Sequence, residues 1–155
     1  MLFWTVGIVV AIQFIRPDFH NPEVDDTVAL RADAQVAPLL KNACYDCHSD
    51  ETRYPWYSNM APVSWFMADH INSGRKAMNF SNWENINPDT RIERLKRAKH
   101  LTHIGLMPLQ SYGLMHEGAN LTEQQKTTLS YFFDEQLKAL VTKYAPGAES
   151  PRENF

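Results

Sequence analysis

Cys44-Tyr45-Asp46-Cys47-His48 sets two thiols three residues apart with an imidazole directly after the second. On one helical turn, positions i and i+3 share a face, so both sulfurs can reach the edge of one flat molecule. Each thiol can add across a vinyl group of a porphyrin, which leaves His48 beside the iron as its proximal ligand. C-x-x-C-H is the attachment pattern of a c-type haem, and one covalently held haem c is the cofactor it predicts. Cys44 and Cys47 are the only cysteines in the chain, so none is left for a disulfide.

Two other chemistries use the same spacing. A structural zinc site takes four ligands, commonly including a second cysteine or histidine pair. Here no further cysteine exists, and His100 and His103, with only two residues between them, lie far downstream. A dithiol redox site places its pair at a helix start after an apolar strand, whereas the residues before Cys44 carry helical periodicity.

Haem iron has a second axial position. Gly105-Leu106-Met107-Pro108-Leu109-Gln110-Ser111-Tyr112 reads as a loop, and Pro108 biases Met107 toward extended geometry, which suits a thioether that must project inward. Methionine is also a common core filler. Met107 is the leading sixth ligand, with His100, His103, Met115 or an open, water-bound iron as alternatives. The choice separates functions, because His/Met ligation raises the reduction potential and closes the iron, favouring electron transfer. An open position would admit peroxide or a diatomic gas.

With 155 residues, 44% of them hydrophobic, and a net charge of −3, the chain has room for one domain and a short extra element. The mildly acidic balance excludes the basic surface that nucleic acid demands. Leu2 to Ile15 (LFWTVGIVVAIQFI) carries no charge. As a helix it covers about 21 Å, short of the roughly 30 Å of a bilayer core. It lacks the basic start and small-residue cleavage site of a signal peptide. Residues 1–15 are therefore expected to be an uncleaved membrane anchor, and the missing Lys or Arg predicts a natural start upstream of Met1. A buried first helix is the alternative. Covalent haem is attached on the outer side of the bacterial cytoplasmic membrane, so the chain needs an export signal, and this run is the candidate.

Residues 16–32 read as an extended linker, residues 33–142 as the haem-binding domain and residues 143–155 as a flexible tail. Asp33 caps a helix running through Cys47, with Val36, Leu39, Leu40, Ala43, Cys44 and Cys47 on one face. Arg53-Tyr54-Pro55-Trp56-Tyr57-Ser58 is too proline-broken for a helix; it is read as core aromatics, with Arg53 also able to meet a haem propionate. Pro62 opens a helix to about Ala77, on which His70 is read as a rim residue. Asn87-Pro88 starts a third helix. Its Arg91, Arg94, Lys96, Arg97 and Lys99 are expected on a solvated face, the alternative being a dock for an acidic redox partner. Thr122 with Gln125 forms a capping box for a last helix, expected to pack across the Asp33 helix.

Further segments carry a resemblance: Gln13-Phe14-Ile15-Arg16-Pro17, Asn21-Pro22, Glu51-Thr52-Arg53-Tyr54-Pro55-Trp56-Tyr57, Ala61-Pro62-Val63-Ser64-Trp65, Asn79-Phe80-Ser81 with Trp83, Met107-Pro108 and Leu121-Thr122. Over about residues 13 to 142 the chain resembles the bacterial haem-binding-domain proteins, membrane-tethered single-haem c-type cytochromes. Similar proteins tend to carry Met-Pro-Pro where Leu109 follows Pro108 here. The resemblance implies a cytochrome c-like helical domain facing the periplasm and defines no substrate. The combined expectation is an all-α domain around one covalent haem, held by Cys44 and Cys47 and ligated by His48 and Met107. It would pass single electrons between redox partner proteins at the outer face of the cytoplasmic membrane rather than act as an enzyme. The rival expectation is a haem enzyme or sensor with a labile sixth ligand.

Overall fold

The computed structural model describes residues 1–144, and every regular element among them is helical, as the sequence predicts. The apolar start forms α1 (Leu2–Ile12). That length covers about 16 Å, and no helix among the described residues is long and apolar enough to cross a membrane. The anchor expected over residues 1–15 is thus not found as a span. Its end is drawn off into the domain: Gln13 donates from Nε2 to the Ala61 carbonyl at 3.1 Å and accepts from the Ala61 N–H at 3.0 Å. Nor is α1 a core helix, since Phe3, Trp4, Val6, Ile8, Val9 and Val10 are all exposed.

Residues 16–32 contain no helix, yet they are fastened to the domain. Asn21 bonds the Thr52 backbone in both directions, Leu30 is buried, and the Leu30 N–H donates to the Phe80 carbonyl at 2.8 Å.

Asp33 caps as expected, one carboxylate oxygen accepting from the N–H groups of Gln35 and Val36. The helix that follows does not continue to Cys47. It divides into α2 (Ala37–Ala43) and α3 (Tyr45–His48), with Cys44 between them at φ −128°. The cause lies outside the segment. The Lys41 carbonyl, which an unbroken helix would pair with the N–H of residue 45, accepts from the Arg53 guanidinium at 2.9 Å.

After a 3₁₀ turn at Trp56–Asn59 come α4 (Val63–Ala77), α5 (Pro88–His103), α6 (Gln110–Met115) and α7 (Glu123–Tyr144). Asn87 caps α5 by accepting from the Asp89 N–H at 2.9 Å. Both hydrogen bonds of the Thr122–Gln125 capping box are present ahead of α7. The last helix packs chiefly along α5 rather than across α2. Its Leu129, Phe132, Phe133, Leu137 and Leu140 nonetheless share one core with Val36, Leu40, Phe80, Trp83 and Leu95. Each such side chain, removed fully from water, contributes about 1.5–3 kcal/mol.

The expected basic face of α5 is only partly solvated. Arg91 is buried, donates to Glu84 at 2.7 Å and lies over the rings of Trp83 and Tyr144, while Lys99 pairs with Asp134. Helix α7 runs to Tyr144, and residues 145–155 of the expected tail lie outside the described residues.

Helix α5 ends on Gly105 at φ +72°, in the left-handed region that glycine enters without steric cost. The Leu106 N–H returns to the Leu101 carbonyl at 2.9 Å and the Gly105 N–H to that of Thr102 at 3.2 Å. This double closure is a Schellman motif, and it launches the loop that carries Met107. Gly105→Ala is expected to lower unfolding free energy in urea by about 1 kcal/mol; unchanged stability would contradict the left-handed cap.

Candidate functional site

Helix α3 is four residues long and cannot hold itself, so neighbours must position its side chains. It packs on α4. At the contact stands Gly74, where an added Cβ would overlap the Cys47 carbonyl oxygen. The two backbones meet there with nothing between them, which brings the far end of α4 to His48. His48 Nδ1 lies 3.1 Å from the Met78 carbonyl. A carbonyl can only accept, so Nδ1 carries the proton and Nε2 keeps its lone pair. Burial pushes the His48 pKa down, partly opposed by the Met78 and Gly74 carbonyls. The ring is therefore neutral near pH 7 and able to ligate a metal.

The two thiols are free and part-buried. Burial first, then the neighbouring Cys47, pushes the Cys44 thiol up to about 12. Burial, then the charge of Asp46, pushes Cys47 up to about 11, with Arg75 opposing. Reactive dithiol centres work by lowering a thiol pKa, so this environment is the reverse of theirs. Zinc gains no support either: among the described residues no group of three or more His, Cys, Asp or Glu is placed to hold a metal ion.

Cys44, Cys47 and His48 line one cleft of about 280 Å³ together with Ala43, Gly74, Ala77, Met107, Pro108, Leu109 and Tyr112. All four sequence-predicted site residues thus share one space. Of the alternative sixth ligands, His100, His103 and Met115 are exposed and do not line it. His70, read as a rim residue, does line it, its Nδ1 held by the Phe66 carbonyl at 2.8 Å.

The chain matches the model of a family described as a haem-binding domain over residues 7–135. It belongs to that family. Comparison with curated proteins and with solved structures gives no match. Membership makes this a haem protein, and the cleft suits the cofactor. Two sulfurs, an imidazole with its proton on Nδ1 and a thioether are donors of the kind that could hold a porphyrin and its iron. Ala43, Gly74, Ala77, Pro108 and Leu109 give the cleft small and apolar walls.

Several residues that shape this haem-binding cleft were not singled out by sequence reasoning. Asp46, inside the C-x-x-C-H motif, is buried, and its carboxylate accepts from the Arg53 N–H at 3.0 Å, Arg53 Nε at 3.1 Å and the Tyr112 hydroxyl at 2.6 Å. An ion taken from water loses several kcal/mol of solvation. Hydrogen bonds to a charged group each return about 1.5–3 kcal/mol, so these three, with a fourth from Arg53 Nη2 to Oδ2 at 3.3 Å, suffice to hold it. Arg53, considered for a propionate, pairs with this carboxylate. Behind α3, Arg75 donates to the Ser49 carbonyl, Asn21 and the Thr52 hydroxyl, and lies 3.5 Å from Asp50. Ser81 and Asn79 bond Asp50 in turn. Residues quoted for the family resemblance thus act as a brace around the motif.

Gly74→Ala is expected to force α4 away from Cys47, costing roughly 1–3 kcal/mol or more and cutting the yield of haem-loaded protein. Thermal melts and the haem-to-protein absorbance ratio measure both; wild-type values would show that the close approach is dispensable.

Proposed function

We propose that this haem-binding domain protein is a single-haem c-type cytochrome, passing electrons at the outer face of the cytoplasmic membrane. The observation that carries the reading is the meeting of both thiols, a His48 ring with Nε2 free and the Met107 thioether in one cleft. Cys44 and Cys47 would hold the porphyrin covalently, with His48 and Met107 as axial ligands. When bound, such a haem supplies a one-electron Fe(III)/Fe(II) couple.

The chain's own residues orient, exclude and tune. Donation from Nδ1 to the Met78 carbonyl sets the plane of the His48 ring and raises its basicity toward a metal. The Met107 loop, pinned by the Leu101 carbonyl, would close the distal side to water and small substrates once Met107 is bound. Closure of that side is what makes electron transfer, rather than catalysis, the better reading.

A lipid surface and redox proteins are the proposed partners. Helix α1 supports the first: an all-apolar helix belongs in a core or in lipid, and this one is not in the core. Its exit is held to the domain by Gln13 and by the Trp65 indole, which donates to the Ile15 carbonyl at 2.6 Å.

The test adds carbon monoxide to the reduced holoprotein at neutral pH. The wild-type Soret band is expected to stay unchanged, while Met107→Ala responds within seconds. A rapid wild-type response would favour the enzyme or sensor reading, in which the sixth position is labile. A fully low-spin, unresponsive Met107→Ala would remove Met107 as ligand and bring forward His70, the other donor lining the cleft.

A further inference from the structure

The Met107 loop has two ends. Its incoming end is held by the closure of α5, where the N–H groups of Leu106 and Met107 both return to the Leu101 carbonyl at 2.9 and 3.1 Å. Its outgoing end enters α6, a helix too short to be stable alone. What holds α6 therefore decides where the second half of the loop sits.

The strongest polar tie from α6 goes to the C-x-x-C-H motif itself. Tyr112 donates its hydroxyl to Asp46 Oδ2 at 2.6 Å, across 66 residues of sequence, with the Asn42 carbonyl a longer neighbour at 3.4 Å. The phenol ring is stacked on His116 with centroids 4.1 Å apart. Asp46 cannot swing to follow a moving partner, because Oδ1 accepts from the Arg53 N–H and Nε and Oδ2 also accepts from Arg53 Nη2 at 3.3 Å. Burial and the bond to Asp46 push the Tyr112 pKa well up, so the hydroxyl keeps its proton and remains the donor. Farther along, Asn120 fastens the α6 backbone by donating to the Gly113 carbonyl at 3.1 Å.

We propose that Tyr112 and Asp46 are a positioning pair for the distal ligand: the phenol-to-carboxylate bond fastens the Met107 loop directly to the segment that bears Cys44, Cys47 and His48. Neither residue touches iron in this scheme. The pair acts by limiting how far Met107 can withdraw, so one buried carboxylate between the two cysteines registers the proximal and distal halves of the site. The inference rests on the reading of Met107 as sixth ligand.

The experiment compares reduced wild type, Met107→Ala and Tyr112→Phe holoproteins in carbon monoxide binding, with the thioether-to-iron charge-transfer band of the oxidised forms as a second readout. Tyr112→Phe removes one oxygen and keeps the ring stack on His116. Its carbon monoxide binding is expected to rise by roughly tenfold or more, the order of one lost charge-assisted hydrogen bond, with the charge-transfer band weakened and far-UV circular dichroism unchanged. A closed wild type with an equally closed Tyr112→Phe overturns the pair while leaving the ligand reading intact. A wild type that is itself open sinks the ligand reading and the pair together.

Discussion

Helix α4 meets the C-x-x-C-H segment at Gly74 with no side chain between the backbones, and the rest of the cleft is built out from that contact. Because the approach is so close, the end of α4 delivers the Met78 carbonyl to His48, and that single acceptor decides which ring nitrogen is left for a metal. A larger residue at position 74 would move the acceptor and the imidazole apart together. The tautomer, the ring plane and the packing of α3 are therefore consequences of one missing methyl group.

Charge is handled with equal economy around the same segment. Asp46 sits between two cysteines whose thiols are kept neutral by burial, and its solvation is replaced by Arg53 and Tyr112. On the opposite side Arg75 draws Ser49, Thr52 and Asn21 together and faces Asp50. Four-residue α3 is thus clamped by polar contacts from the Arg53 loop, α4 and α6, with Asn21 of the linker tied in through Thr52 and Arg75. A buried polar network of this kind fixes a unique arrangement only if its members are satisfied, and each of these groups has a partner.

Much of this was legible in the chain because it is local. The Asn87 cap, the Thr122–Gln125 box, the Asp33 turn and the start of α4 depend on residues within four positions of one another, and all form. The C-x-x-C-H motif likewise carries its chemistry in its spacing. What escaped was set by distant partners. The break at Cys44 follows from Arg53 taking the Lys41 carbonyl, and the burial of Arg91 from Glu84, Trp83 and Tyr144 closing over it, none of which helical periodicity can register. The short reach of α1 reflects Gln13 turning toward Ala61. Tyr112 and Asp46 gave no signal at all, being joined only by the fold.

The account depends most on a porphyrin held by Cys44 and Cys47, and mass spectrometry of the denatured, reduced protein tests this directly after expression with haem c maturation machinery. The intact chain is expected to carry the added mass of one haem that organic extraction does not remove, and a Cys44→Ser, Cys47→Ser double variant to lose it. A chain at its bare polypeptide mass, with haem recovered in the extract or not at all, would contradict covalent attachment and the c-type reading built on it.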